Sequence, residues 1–184
     1  MNRFHNQFSL SLFAGTKIIH YHVFFEYICP ININHSALMQ EALDFLKQNK
    51  DVAFATVSAD ARPMVRVFQI MKVDGTTLYF ATSNRKNVYQ ELQANPAIEL
   101  LAYKGNISVR VGGEARFDVA DDIQQEIYDT NPVLQRLYAD YRELTYFRME
   151  IDHLDYYDLG PMPPILRHYD KADGRYVDLN PFRK

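Results

Sequence analysis

Two stretches of this chain, Val52-Ala53-Phe54-Ala55-Thr56-Val57 and Ala97 to Tyr103, are apolar at nearly every position rather than at alternate ones. Successive side chains of a strand point to opposite faces, so each stretch would present apolar groups on both sides of a sheet. An open sheet with one wet face is thereby disfavoured. A barrel interior, a helix layer or a second subunit has to cover each face, and dimerisation would supply that second cover.

The order of elements narrows the choice. Met39, Ala42, Leu43 and Leu46 repeat at helical spacing behind Ser36, which predicts a helix over about 37–49 with Ser36 as its cap. After the 52–57 strand, the polar turn Ser58 to Arg62 leads into a second extended run, Met64 to Val73. Asp74-Gly75 then signals a tight hairpin returning through Thr76 to Thr82. Ser83-Asn84 is placed to cap a helix with the stripe Val88, Tyr89 and Leu92, stopped by Asn95-Pro96. Strands are expected at 97–103 and 107–117 around Gly105-Asn106, with Gly112-Gly113 marking a bulge or a close backbone approach. Helices at about 120–130 and 132–140 and extended segments at 145–151 and 154–159 follow. This is a β-rich α+β order rather than regular β-α-β alternation, and a small antiparallel barrel with peripheral helices fits it. Residues 160–184 hold four of the eight prolines and read as an irregular C-terminal arm.

Residues 1–38 read as an N-terminal extension. The first 35 carry seven aromatics and four of the six histidines, but Glu26 is their only acid. Arg3 and the broken Phe8 to Phe13 core make a poor signal peptide, and transit-peptide character is thin. Another reading makes Met39 the natural start. His20 and His22 form an H-x-H pair with no third ligand nearby, so no metal site is expected. The lone Cys29 suits a reducing, cytoplasmic compartment. No apolar run approaches the roughly 20 residues of a membrane helix. Twenty Lys and Arg against 23 Asp and Glu, a net −3, disfavour nucleic acid as a partner.

Chemistry concentrates between Arg66 and Leu92. Arg85 and Lys86 fall in the first turn of the predicted helix, where the positive end of the helix dipole opposes cations. An anion there would remove the conflict. Helix N–H groups, the Ser83 hydroxyl, Thr82 at the preceding strand end and the two cations together make a phosphate site. The plainer alternative has both basic chains in solvent, paired with acids such as Glu91. Arg66 lies on the run that the Asp74-Gly75 hairpin folds against Thr76 to Thr82, so register is expected to bring it to the same end as Ser83 to Lys86. Val67, Phe68, Gln69, Ala81 and Thr82 would then offer backbone donors and apolar walls to a planar group carrying that phosphate.

The order Arg66-Val67-Phe68-Gln69, Asp74-Gly75, Leu78-Tyr79-Phe80-Ala81-Thr82-Ser83-Asn84-Arg85-Lys86, Leu92, Asn95-Pro96 and Ser108-Val109-Arg110-Val111-Gly112-Gly113-Glu114-Ala115 resembles the pyridoxamine 5′-phosphate oxidase-like family of FMN-binding split barrels. The likeness covers about residues 39–159, which sets the domain boundaries. It implies a homodimer of six-stranded Greek-key split barrels with two FMN sites at the subunit interface. By position, Arg66 and Lys86 would hold the FMN phosphate with Arg85, Thr82 and Ser83 assisting; Val67, Phe68, Gln69 and Ala81 would line the flavin; and Ser108 would fall at a polar flavin contact. The oxidases proper end in a basic, Trp-containing segment over flavin and substrate, whereas this chain has no Trp. The nitroimidazole-reductase branch resembles the core equally well.

No G-x-G-x-x-G or phosphate-loop motif is present. Asp121-Asp122 and Asp155-Asp158 read as solvated faces, Ser58 and Ser108 lack the setting of a hydrolase nucleophile, and His153 and His168 read as ordinary polar residues with nothing nearby to orient them. No side chain is singled out as catalytic, which suits an oxidoreductase in which FMN carries the chemistry between a nicotinamide or small-molecule donor and an acceptor. A non-catalytic sensor or stress module binding flavin, deazaflavin or haem is the competing expectation, and an oligonucleotide-binding barrel a third. A chain beginning at Met39 is expected to fold and keep its cofactor; insolubility of that shortened chain beside a soluble full chain would make the N-terminal stretch part of the fold.

Overall fold

The computed structural model of the protein describes residues 10–14, 17–21 and 35–179. Two units are distinguished, Met1–Asn34 and His35–Lys184. In the first, β1 (Leu10–Ala14) and β2 (Lys17–Tyr21) form an antiparallel hairpin with Leu10 opposite Tyr21. Arg3, His22 and Cys29 lie outside the described residues.

In the second unit α1 (His35–Gln48) begins four residues before Met39, so the expected cap Ser36 falls inside the helix. Ala42, Leu43 and Leu46 are its buried stripe. The strands that follow are β3 (Asp51–Val57), β4 (Pro63–Gln69), β5 (Lys72–Asp74), β6 (Thr77–Thr82), β7 (Ala97–Lys104), β8 (Ile107–Arg116), β9 (Thr145–Glu150) and β10 (His153–Asp158). β3 lies between β4 and β7, β7 pairs with β8, β8 with β9, β9 with β6 and β6 with β5, all antiparallel.

The single extended run expected at 64–73 is one chain path with a bend. Ile70 and Met71 are both buried, and their consecutive amides donate to Lys50 O and Tyr79 O at 2.9 Å each, so β4 stays on β3 while β5 joins β6. Counting β4 and β5 as one path, six strand paths close a ring. Gly75, at φ +53°, opens the two-residue turn between Asp74 and Thr77, a conformation that costs glycine little.

Inside the ring Phe54, Phe68, Phe80 and Phe147 pack together, with centroids 4.8 Å apart for Phe54 and Phe68 and 5.0 Å for Phe80 and Phe147. Burying each ring is worth about 1.5–3 kcal/mol. β6 is buried on both faces: Leu78 and Phe80 point into the barrel, while Tyr79 and Ala81 pack beneath α3 (Asp121–Thr130), α4 (Pro132–Leu137) and a 3-10 turn at Tyr141–Glu143. The apolar stretches in β3 and β7 have no such second cover in the described residues. Leu101 and Tyr103 of β7 and Val65 and Val67 of β4 are exposed on the two sides of β3.

The barrel splits along β8, which pairs with β10 over residues 107–112 and with β9 at 115–116. Gly112-Gly113 marks that division, and of the two expectations the close approach is what forms, since the pairing of β8 with β7 runs through both glycines without a bulge. A Cβ on Gly113 would collide with the backbone oxygen of Glu150, and one on Gly112 with the His153 ring.

Over its described residues, 160–179, the C-terminal arm is not irregular. β11 (Ile165–Asp170) pairs with β10 and β12 (Arg175–Asp178) with β11, extending the sheet to ten strands across the described part of this unit. The proline-rich segment is the connection, residues 159–164, and the strands beyond it satisfy the free edge of β10. No described helix is long and apolar enough to cross a membrane.

Gly113→Ala is expected to destabilise the protein by about 1–3 kcal/mol in denaturant unfolding, because the opposing atom is backbone and cannot move aside. Gly112→Ala should be milder, since the side chains of His153 and Glu99 can swing away.

Candidate functional site

The bend at Ile70-Met71 sets the end of β4 beside the end of β6, and α4 leans over the gap. Between them is a cleft of about 190 Å³ lined by Val67, Phe68, Gln69, Ala81, Thr82 and Lys86 on the barrel side and by Val133, Leu134, Leu137, Tyr138 and Leu144 on the helical side. Six of the ten residues expected to bind a cofactor meet here. Val67 and Leu137, 78% and 62% exposed, stand at its rims. The helical wall was not read from the sequence; the signal for it is Val133 and Leu137, four apart behind Pro132 at a helix start.

The phosphate end differs from expectation in one local respect. α2 (Asn87–Ala94) starts after the two cations, with Lys86 at the N-cap position and no side-chain cap. The expected cap works instead on the preceding turn: Ser83 Oγ accepts from Arg85 N at 3.3 Å and Ser83 O from Lys86 N at 3.0 Å. The cations therefore precede the helix N-terminus rather than occupy its first turn, which eases their conflict with the dipole and keeps its N–H groups beside them. Among the described residues neither Arg85 nor Lys86 has an acid partner.

Glu91 is already engaged. Arg66 Nη2 donates to its Oε2 at 2.7 Å, Arg66 Nη1 donates to Thr56 Oγ1 at 2.6 Å, and the Thr56 hydroxyl donates to the same carboxylate oxygen. Arg66 reaches this position through β4 and β3, opposite Phe54, and not through the hairpin register expected for it, because β4 does not pair with β6. Its side chain sits at the barrel mouth and does not line the cleft.

Ser108 lies elsewhere, opposite Tyr103 and Tyr157 on the exposed sheet face. Across that face Val67, Ala53, Leu101, Arg110, Asp155, His168 and Val177 stand in register. Two expectations fail here for the same reason, cross-strand pairing that sequence distance hides. Asp155 is buried and accepts from Arg110 Nε at 2.8 Å, and a carboxylate orients each histidine: His168 Nδ1 lies 2.6 Å from Asp155 and His153 Nε2 2.6 Å from Glu99. A larger cleft of about 420 Å³ opens beside His153, Glu99 and Gly113. Among the described residues no group of three His, Cys, Asp or Glu side chains is placed to hold a metal.

One atom in the first cleft asks for a ligand. Thr82 is buried, and its hydroxyl has no hydrogen-bond partner among the described residues. A second buried hydroxyl without a partner belongs to Tyr146, opposite Ala81, and burial pushes its pKa up. An unsatisfied buried hydroxyl costs about 1–3 kcal/mol, so its retention at a cleft wall beside free cations fits a phosphorylated ligand.

The profile of the family described as Pyridoxamine 5′-phosphate oxidase matches residues 38–156. No curated protein matches the chain in sequence. Among solved structures, a protein of Clostridium acetobutylicum related to general stress protein 26 superposes with a TM-score of 0.61 at 15% identity, covering 76% of this chain and 98% of its own. A pyridoxamine 5′-phosphate oxidase-related, FMN-binding protein of Nostoc punctiforme gives 0.56 at 15%, covering 81% and 96%. A haem-binding protein of Mycobacterium smegmatis gives 0.57 at 13%, covering 72% and 57%. At these identities the likeness is one of fold.

Thr82→Val, nearly isosteric, is expected to leave unliganded protein equally stable or stabilise it by about 1 kcal/mol, because it removes an unpaired hydroxyl. Thermal unfolding without ligand checks this; a clear loss of stability would mean the hydroxyl is already satisfied.

Proposed function

Because this chain belongs to the pyridoxamine 5′-phosphate oxidase family, we propose that it is an FMN-binding flavoprotein and an oxidoreductase. The observation that carries the reading is the meeting, in one cleft, of a buried hydroxyl with no partner on Thr82 and a cation with no acid on Lys86. Lys86 and Arg66 hold the phosphate from the helix start and the barrel mouth, and Arg85, Ser83 and Thr82 donate alongside them. Charge-assisted bonds to phosphate are about twice as strong as neutral ones, which suits Lys86 and Arg85, the two cations with no acid partner among the described residues. Val67, Phe68, Gln69 and Ala81 form the flavin wall, and the apolar rim keeps water from the ring. Bound FMN supplies the hydride and electron chemistry between a nicotinamide or small-molecule donor and an acceptor.

The same reading accounts for the exposed sheet face. Val65, Val67 and Tyr103, at 67%, 78% and 71% exposure, are costly to leave in water as one surface, and a second copy of the chain would cover them. Ser108 lies on that face away from its own cleft, so a homodimer would deliver it to the partner's flavin. A cytoplasmic home matches flavin chemistry in a reducing compartment.

One observation favours a second reading, a haem-binding module. His168 is held at Nδ1 by Asp155, which leaves Nε2 as the free ring nitrogen, the arrangement common in metal-bound histidines. Purified full-length protein separates the two by its absorption, a flavin band in the first case and a Soret band in the second.

Lys86→Ala should weaken FMN about tenfold to a hundredfold and leave riboflavin, which lacks the phosphate, nearly unchanged. Equal loss for both ligands would place Lys86 away from the phosphate. Light scattering of the flavin-loaded protein should give twice the 21.5 kDa chain mass; a monomer with flavin bound would overturn the shared site.

A further inference from the structure

Glu91 is an unusual residue to bury, and the geometry around it is specific. It sits on the inner face of α2 with Val88 and Leu92, and its carboxylate would be heavily penalised without a counter-charge. Arg66 provides that charge from β4 and Thr56 a hydroxyl from β3, so one carboxylate ties three elements together at the barrel mouth. An apolar trio of similar volume would tie them equally well, since buried ion pairs are often replaceable without loss of stability. The arginine kept here is about one-quarter exposed, at 23%, and the contacts use two of its five N–H groups. The remaining donors are available at the mouth. Glu91 also follows Lys86 by five residues, so α2 carries at its start one cation and within its second turn the carboxylate that fixes the other.

We propose that Glu91, assisted by Thr56, is a positioning residue that holds the Arg66 guanidinium at the barrel mouth so that Arg66 and Lys86 take one phosphate together. This rests on the reading of the cleft as an FMN site. Arginine recognises phosphate through a planar fork whose orientation decides how many bonds form, and a long side chain at a wet mouth would otherwise sample many rotamers. The carboxylate also repels a phosphate, but its pairing with the Arg66 guanidinium offsets that repulsion, whereas lost orientation has no such remedy.

The test titrates FMN and riboflavin into full-length protein freed of flavin, for wild type, Glu91→Gln, Thr56→Val, Arg66→Gln and the double variant Arg66→Gln/Glu91→Gln. Glu91→Gln and Thr56→Val should each lower FMN affinity about tenfold, the worth of one charge-assisted bond, with riboflavin affinity unchanged. In the Arg66→Gln background, Glu91→Gln should have no further effect on the ratio of the two affinities, because Glu91 acts only through Arg66. Thr56→Val keeps the buried pair and carries the test if Glu91→Gln folds poorly. An FMN-to-riboflavin ratio in Glu91→Gln or Thr56→Val equal to or above wild type overturns the proposal while leaving the FMN site standing. A wild-type protein that does not prefer FMN to riboflavin overturns the FMN reading itself.

Discussion

Consecutive amides at Ile70 and Met71 donate to Lys50, just before β3, and to Tyr79 in β6, and the rest of the domain hangs on that exchange. A straight strand would leave β4 on β3 and never reach β6, so the ring would stay open and the four core phenylalanines would face water on one side. Bending the path at two buried apolar residues keeps the backbone satisfied through the corner, where an unpaired amide would be costly. It also sets the C-terminal end of β4 against the end of β6. The cleft is therefore a by-product of barrel closure, and its barrel-side wall is as rigid as the barrel.

Charge placement follows from the same closure. Once β4 is drawn across the mouth, Arg66 meets the inner face of α2 and satisfies Glu91, the acid that by sequence distance belonged to Arg85 and Lys86. Those two cations then stand at a helix N-terminus with no acid partner among the described residues. Local sequence places Arg85 and Lys86 nearest to Glu91; three-dimensional pairing gives that acid to Arg66, which it orients, and leaves the other two without an acid among the described residues. The division between β9 and β10 along β8 acts similarly on the opposite face, where Arg110, Asp155 and His168 from three strands form one hydrogen-bonded line.

The C-terminal segment shows how local signals mislead. Prolines at 161, 163 and 164 do break the chain, but they mark only a connection. Beyond them Ile165 to Asp170 and Arg175 to Asp178 are short, mixed strands with weak propensity of their own, recruited because β10 presents an open edge and Tyr169 and Tyr176 pack against the core. Edge pairing is a long-range effect, and no window of sequence contains it.

By itself the sequence determined the β-rich order, the hairpin at Asp74-Gly75, a bulge or close approach at Gly112-Gly113 and the cluster from Val67 to Lys86 that lines one cleft. Each is encoded within a few residues, by short apolar β-forming runs, by glycine at a turn or within a strand and by the spacing of cations after a strand. Tertiary structure alone decided that Arg66 reaches the mouth through β3, that Glu91 and Thr56 hold it, that Val133, Leu137 and Tyr138 close the cleft, and that Ser108 faces away from it. Those facts depend on pairings between residues 10 to 71 positions apart, and such contacts exist only after the ring has closed.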